Sequence, residues 1–153
     1  MLGDGKGGFR VLGGETSGVE VYGEQRGVAV GDYDGDGRLD VVIGENGGGV
    51  RLYRNVGGRA GIRVRMRGPA GNVNGVGCVA RLRVDGMATG AAQEVHGGSG
   101  WWSQDSGVLV FWRPEGKGRL EMEVGWPGGR RTVTPVGDAG KEVVVEYGKE
   151  GTP

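Results

Sequence analysis

The chain has 153 residues, with 19 acidic and 19 basic side chains, a formal net charge of zero, and 38 glycines. This length allows one domain or two small ones, and the lack of a regular three-residue glycine period excludes a collagen triple helix. No stretch approaches the roughly 18 consecutive apolar residues that a membrane helix needs, so we predict no membrane insertion. A single cysteine excludes an intrachain disulfide bond, and the apolar neighbours of Cys78 predict a buried, unreactive thiol.

Charge is distributed unevenly along the chain. Residues 1–50 carry 4 basic and 9 acidic side chains, residues 51–83 carry 8 arginines and no acidic residue, and residues 84–153 carry 7 basic and 10 acidic side chains. The acidic first third is suited to binding a cation. The arginine segment either attracts polyanions or pairs with the acidic parts of the same protein, and the pattern leaves both open. We predict no nucleic-acid partner.

Short β-strands joined by glycine-rich turns are predicted along the whole chain, and helical periodicity is nearly absent. In residues 62–67, apolar residues alternate with arginines, which is typical of a strand with one buried face. Turn signals recur about every 8–12 residues, which indicates an all-β fold of the sandwich or propeller type. The predicted strands are residues 18–22, 27–31, 39–43, 49–54, 61–67, 77–84, 91–96, 107–112, 119–124, 131–136 and 142–147.

An acidic loop at residues 32–40 is the strongest chemical signal in the sequence. Carboxylates occupy loop positions 1, 3, 5 and 9, and a glycine at position 6 permits a sharp turn. Alternate side chains of a tightly wound loop converge on one point, where Ca²⁺, which takes six to eight oxygen ligands, would fit. The alternative is an acidic turn without an ion, in which the carboxylates would repel one another. The predicted ligands are Asp32, Asp34, Asp36, Asp40 and the carbonyl oxygen of Arg38.

This loop is not an EF-hand. Ile43 stands where an EF-hand has its bidentate glutamate, and the flanking segments are predicted to be strands rather than helices. Calcium held between two strands has a structural use, because the ion neutralises the carboxylates and fixes a long hairpin.

A change of pattern near residues 55–60 predicts two domains. Residues 1–57 are predicted to form a partial propeller blade followed by a nearly full blade, and residues 58–153 a small antiparallel β-sandwich. One blade cannot bury both faces of its sheet. We therefore expect that the chain belongs to a longer protein, that the blade packs on the second domain, or that the unpaired blade edges self-associate.

Two family resemblances fit this division. Residues 27–56, with the turn-like segment before them, resemble a single FG-GAP/VCBS-type repeat, which implies a propeller blade whose Asp-rich loop holds calcium. Residues 60–147 resemble the ASPIC/UnbV domain, which follows such repeats in cartilage acidic protein and in bacterial secreted relatives. The stretches that carry the second resemblance are residues 74–77 (NGVG), 93–104 (QEVHGGSGWWSQ) and 124–129 (VGWPGG). Residues 113–118 follow a departure from the family pattern and are expected to fold differently.

Together the resemblances imply a non-catalytic, calcium-dependent adhesion or scaffold module. They imply an extracellular or cell-surface location, although residues 1–5 have no features of a signal peptide, and the expected partner is an extracellular protein or glycan. Catalysis is not expected from the only histidine, His96, because the nearby serines lie outside a nucleophile-elbow motif.

A carbohydrate- or glycosaminoglycan-binding function is the alternative. The candidate residues are Arg63, Arg65, Arg67, Trp101, Trp102 and Gln104. Arginine suits sulfate and carboxylate groups because its guanidinium donates two parallel hydrogen bonds. Adjacent residues of a strand point to opposite faces, so we expect one of the two tryptophans to pack inside and the other to be exposed.

Overall fold

The structure is a computed structural model that describes residues 2–116, 118–137 and 140–149. About 43% of the chain is strand and 3% is helix, which confirms the all-β prediction. The described residues contain no helix long and apolar enough to cross a membrane. The elements are β1 (Leu2–Gly3), β2 (Phe9–Arg10), α1 (Gly14–Ser17), β3 (Gln25–Gly31), β4 (Asp40–Glu45), β5 (Val50–Tyr53), β6 (Ile62–Arg67), β7 (Val79–Val84), β8 (Met87–Glu94), β9 (Val108–Phe111), β10 (Leu120–Gly125), β11 (Arg131–Pro135) and β12 (Glu142–Glu146).

Strands β3, β4 and β5 form an antiparallel sheet, here called the N-terminal sheet. Its central strand β4 places Val42 opposite Ala29 of β3 and Leu52 of β5. Residues 46–49 make the tight turn between β4 and β5, whereas the acidic loop connects β3 to β4. The pairing of β3 with β4 therefore brings the two ends of the acidic loop together.

The predicted strand at residues 18–22 is wrong. α1 is a single helical turn that ends at Gly18 in a left-handed conformation, and the following segment joins no sheet. Side chains hold it instead, because the Tyr53 hydroxyl donates to the carbonyl of Glu20 and Gln25 Nε2 donates to that of Val21. The predicted blade consequently has three strands, preceded by the small β1–β2 hairpin.

The remaining strands form two sheets around one core, here called the C-terminal sandwich. One sheet has the order β11-β10-β7-β8 and the other β12-β6-β9. Strand alternation follows the prediction, since Ile62, Val64 and Met66 of β6 are buried and its arginines face outward. The core comprises Ile62, Val64, Met66, Cys78, Ala80, Leu82, Val95, Leu109, Phe111, Met122, Val124, Trp126, Val136, Val143 and Val145.

One strand pair departs from the antiparallel prediction. β12 lies parallel to β6, with Glu142 beside Arg63 and Val145 beside Met66. A parallel pair needs a long crossover connection, and here the whole of β7 to β11 lies between the two strands. Local periodicity predicts each strand but not its direction relative to a distant partner.

Several contacts join the N-terminal sheet and its acidic loop to the C-terminal sandwich. The Gly61 amide donates to the carbonyl of Gly37 in the acidic loop at 2.7 Å. Near the end of β3, the Val30 amide donates to Asp105 Oδ1 at 2.8 Å, and the Ser106 amide donates to the Val30 carbonyl at 2.9 Å. The acidic loop is thus held next to the start of β6.

Candidate metal centre

The acidic loop is wound tightly by two glycines. Gly35 and Gly37 have φ of 77° and 85°, a region that glycine enters without a Cβ clash. A Cβ atom at Gly37 would also lie 3.0 Å from the carbonyl oxygen of Gly61. The loop therefore needs glycine at position 37 both for its own turn and for its contact with the second unit.

Asp32 is the hub of the loop. Its Oδ1 accepts hydrogen bonds from the amides of Gly35 and Asp36, at 2.8 and 3.0 Å. Its Oδ2 accepts from the Gly37 amide at 2.7 Å and from Arg63 Nη1 at 2.6 Å. The side chain has no exposed surface. Four donors fill the roughly four lone-pair positions of a carboxylate, so an ion at Asp32 would have to compete with one of them.

Asp34 and Asp40 complete a cluster with Asp32. Asp40 is buried, and its two oxygens accept from the amides of Tyr33 and Asn55 at 3.1 and 2.7 Å. Asp34 accepts from the Asp36 amide at 3.2 Å and pairs with Arg54 Nε at 2.7 Å. Each oxygen of Asp34 and Asp40 thus has one such partner, which leaves a lone pair for a further contact.

The spacing of this cluster is compatible with a calcium ion. One ligand oxygen from each of Asp32, Asp34 and Asp40 lies within 4.8 Å of the other two. Calcium–oxygen distances are about 2.3–2.6 Å, so two oxygens on opposite sides of one ion are separated by about 4.6–5.2 Å. Carboxylate oxygens at this spacing, two of them from buried and one from an exposed aspartate, are donors that a hard divalent cation prefers.

Asp36 lies outside the cluster of Asp32, Asp34 and Asp40, and its role as a ligand stays a prediction. Its Oδ1 accepts from the Arg38 amide at 2.9 Å, its Oδ2 pairs with Arg38 Nη2 at 2.5 Å, and Arg54 lies 3.5 Å away. The Asp36 carboxylate is turned toward these guanidinium groups rather than toward Asp32. The Arg38 side chain donates to the carbonyl of Asn55, and ligation by the Arg38 carbonyl stays a prediction.

Arg63 favours the ionised form of Asp32. Burial alone would raise the pKa of the Asp32 carboxyl, but hydrogen bonds from Arg63 and from the Gly37 and Gly35 amides lower it below its ordinary value. The pKa of Arg63 is raised by its hydrogen bonds to Glu142 and Asp32, and that of Arg54 by the charge of Asp34. The pair of Arg63 and Asp32 therefore stays ionised at neutral pH.

Sequence reasoning missed Arg54 and Arg63 as partners of the acidic loop. Three arginines, including Arg38, pair with the loop, which has four aspartates. The signal was the excess of arginine in residues 51–83 directly after the acidic segment. Of the two readings of that excess, pairing within the protein is confirmed at β6.

The predicted ligand-binding arginines are engaged in ion pairs. Arg63 bridges Asp32 and Glu142, Arg65 also contacts Glu142 at 3.2 Å, and Arg67 pairs with Glu146. Arg63 is only 13% exposed. Each of the three arginines thus has a carboxylate partner within the chain, and Arg65 and Arg67 remain 49% and 66% exposed.

Trp101 and Trp102 do not point to opposite faces, so that prediction is wrong. They occupy a turn closed by a bridge between Gly100 and Ser103, and Trp102 has a φ of 52°. The positive φ places both rings on one side, stacked with centroids 6.3 Å apart and planes 13° apart. Both rings are exposed, and they line a cleft with Gln104.

The residues around His96 do not form a catalytic triad. His96 Nδ1 lies 3.6 Å from Glu94, and Asp105 accepts from the Val30 amide. The hydroxyls of Ser99 and Ser106 accept from backbone amides. In the described part of the chain, these polar groups fix loops rather than activate a nucleophile.

Comparison with known proteins concerns the segment that holds the acidic loop. A search of curated proteins finds no match to the chain. The family profile of the FG-GAP repeat matches residues 26–62, a segment that holds β3, β4, β5, the acidic loop and the first residue of β6. FG-GAP repeats are non-catalytic structural or interaction repeats, typical of extracellular β-propellers of the integrin type, and they often bind Ca²⁺. Residues 26–62 of this chain are thus similar to an FG-GAP repeat.

Proposed function

We propose that the chain is a calcium-stabilised, non-catalytic interaction module of an extracellular protein. The observation that carries the proposal is the meeting of three aspartates at calcium-compatible spacing inside an FG-GAP repeat. Asp32, Asp34 and Asp40 would hold the ion. Bound there, it supplies positive charge and cross-links the two ends of the acidic loop.

The role of the ion in this proposal is structural. The acidic loop contacts the second unit through Gly37 and through Asp32, whose partner Arg63 lies on β6. An ion that holds the acidic loop in one conformation would also stabilise the contacts of the loop with the start of β6. Arg63 competes with it for Asp32, and Arg54 competes with it for Asp34. Calcium binding is therefore tied to how firmly the two units are joined.

Residues 58–153 are proposed to be an ASPIC/UnbV-like domain, as the resemblance of the sequence implies. Support comes from residues of the matching motifs that are tightly packed in the structure. Gly75 has a positive φ, and a Cβ atom there would lie 2.6 Å from Met66 Cβ. Trp126 anchors the core, with its Nε1 donating to Thr132 Oγ1 at 2.9 Å and its ring edge-to-face with Tyr147. Replacing either motif residue would disturb packing.

Thermal melting with and without calcium tests the calcium role. At calcium concentrations about 100-fold above the dissociation constant, binding to the folded state alone adds about 2.7 kcal/mol. For a chain of this size, that raises the melting temperature by about 5–10 °C relative to EDTA. Asp34→Ala should abolish the rise. Glu115→Ala, which removes a carboxylate from an exposed ion pair elsewhere, should preserve it. An equal melting temperature in EDTA and calcium would refute the structural role of the ion.

A further inference from the structure

A cleft of about 600 Å³ lies between the N-terminal sheet and the Trp101–Trp102 turn. Its volume is within the range of small-molecule sites in proteins, roughly 300–1,000 Å³. Gly27, Ala29, Val42 and Gly44 contribute to its lining from β3 and β4. The mixture of small apolar residues and two tryptophans gives the cleft flat, weakly polar surfaces.

The tryptophan turn is held firmly against the sheet while its rings remain in solvent. A Cβ atom at Gly27 would lie 3.2 Å from the Trp102 carbonyl oxygen, so the backbone of the turn packs directly on β3. The residues Trp101 and Trp102 are nevertheless 69% and 87% exposed. Within the described residues neither indole N–H has a hydrogen-bond partner. An exposed aromatic pair on a fixed turn is a binding feature rather than a core element.

The mouth of the cleft has no net charge. Arg26 pairs with Glu24, and Glu45 pairs with Arg51 at 2.8 Å. Asn46 donates to Glu24 as well, at 2.9 Å. The rim therefore offers hydrogen-bonding groups without an unpaired positive or negative charge, which favours a neutral, hydroxyl-rich ligand.

We propose that this cleft binds a neutral saccharide, with a pyranose ring stacked on the tryptophan pair. A pyranose presents C–H groups on a flat face and hydroxyls around its edge, which match aromatic faces beside a polar, neutral rim. The proposal deepens the interaction role proposed above and rests on it. An anionic glycan fits less well, because Arg26 in the cleft lining is already paired with Glu24.

Isothermal titration calorimetry of the whole chain tests this assignment. The probes are neutral hexasaccharides of glucose, mannose, galactose, xylose and N-acetylglucosamine, with a heparin-derived hexasaccharide as the anionic arm, all in calcium-containing buffer. At least one neutral probe should bind. Trp101→Ala and Trp102→Ala should each weaken that binding by about tenfold or more, since each removes a stacking face. Trp112→Ala is the matched control, because Trp112 is 61% exposed and lies outside the cleft lining.

Several outcomes would overturn the saccharide site. They are no binding of any neutral probe at millimolar concentration, binding of the heparin fragment alone, or binding that survives both tryptophan substitutions at the cleft. A concentration-dependent dimer of the wild type that Trp102→Ala abolishes would instead make a second copy the occupant. Melting of the same samples separates the two proposals. If the chain binds no saccharide but still melts at a higher temperature in calcium, only the saccharide site is refuted. If calcium does not raise the melting temperature, the structural role of calcium is refuted, whatever the titrations give.

Discussion

Replacing Arg63 by methionine should destabilise the folded protein, because it leaves the Asp32 carboxylate of the acidic loop buried without its cationic partner. Arg63 contributes a 2.6 Å hydrogen bond to the fully buried Asp32 carboxylate and a 2.9 Å hydrogen bond to Glu142. Removing one partner of a buried ion pair costs about 3–5 kcal/mol, because the other charge stays buried. Arg63 retains some solvent contact, so we expect the lower end, about 3 kcal/mol. This lowers the melting temperature by about 6–12 °C in EDTA.

The control is Arg65→Met on the same strand. Arg65 is 49% exposed and contacts only the shared partner Glu142 at the surface, so its loss should cost much less. Calcium should restore part of the stability lost in Arg63→Met, since the ion supplies positive charge at Asp32. Differential scanning calorimetry in EDTA and in calcium gives both numbers. Equal destabilisation by the two substitutions would refute the buried-pair reasoning.

The same variant predicts a pH dependence. The pKa of Asp32 is lowered in the folded protein, so this carboxylate contributes stability above its unfolded pKa of about 4 and loses that contribution as the pH falls through the lower folded value. The gap in stability between wild type and Arg63→Met should therefore be full at pH 7 and narrow below about pH 4. Urea unfolding at a series of pH values measures it. A gap that stays constant down to pH 2 would contradict the role of Asp32.

Three further predictions concern calcium competition, thiol burial and the core. Arg54→Ala should tighten calcium binding about twofold to fivefold in calorimetric titration, because it removes a competing cation from the loop. Arg51→Ala, equally exposed but paired outside the loop, should not, and equal effects would exclude competition. Burial raises the pKa of the Cys78 thiol to about 11, so iodoacetamide at pH 8 should label it only in denaturant, as mass spectrometry would detect. Thr132→Val should cost about 1–3 kcal/mol in urea unfolding, since it leaves the buried Trp126 N–H without an acceptor. Thr132→Ser, which keeps the acceptor, should cost less.

The sequence predicts most strands because their signal is local. Alternation in Ile62–Arg67 reports one buried face, and the structure places that face in the core. The segment at residues 18–22 alternates equally well, but no partner strand lies beside it. Pairing depends on the rest of the sheet, and periodicity within one segment carries no information about it. For the same reason, the sequence does not predict that β12 runs parallel to β6.

The acidic loop was predictable in position but not in detail. Spacing identifies Asp32, Asp34 and Asp40 as a group. It cannot reveal that Asp36 turns toward two arginines, because Arg54 comes from a neighbouring strand end. The tryptophan pair was misread for a related reason, since a strand was assumed where a positive φ at Trp102 makes a turn. Side-chain direction in loops follows tertiary contacts and backbone exceptions.

The parallel pairing of β12 with β6 joins two strands that are synthesised at different times, which limits when the sandwich can finish folding. Arg63 and Glu142 face each other in the register although 79 residues separate them. Closing so long a loop is entropically costly, and such distant pairings form slowly. During synthesis, one edge of β6 stays without its partner strand until nearly all of the sandwich has been synthesised. A nascent chain halted before residue 142 would carry that open edge and would lack the core residues Val143 and Val145, which makes it a ready substrate for chaperones.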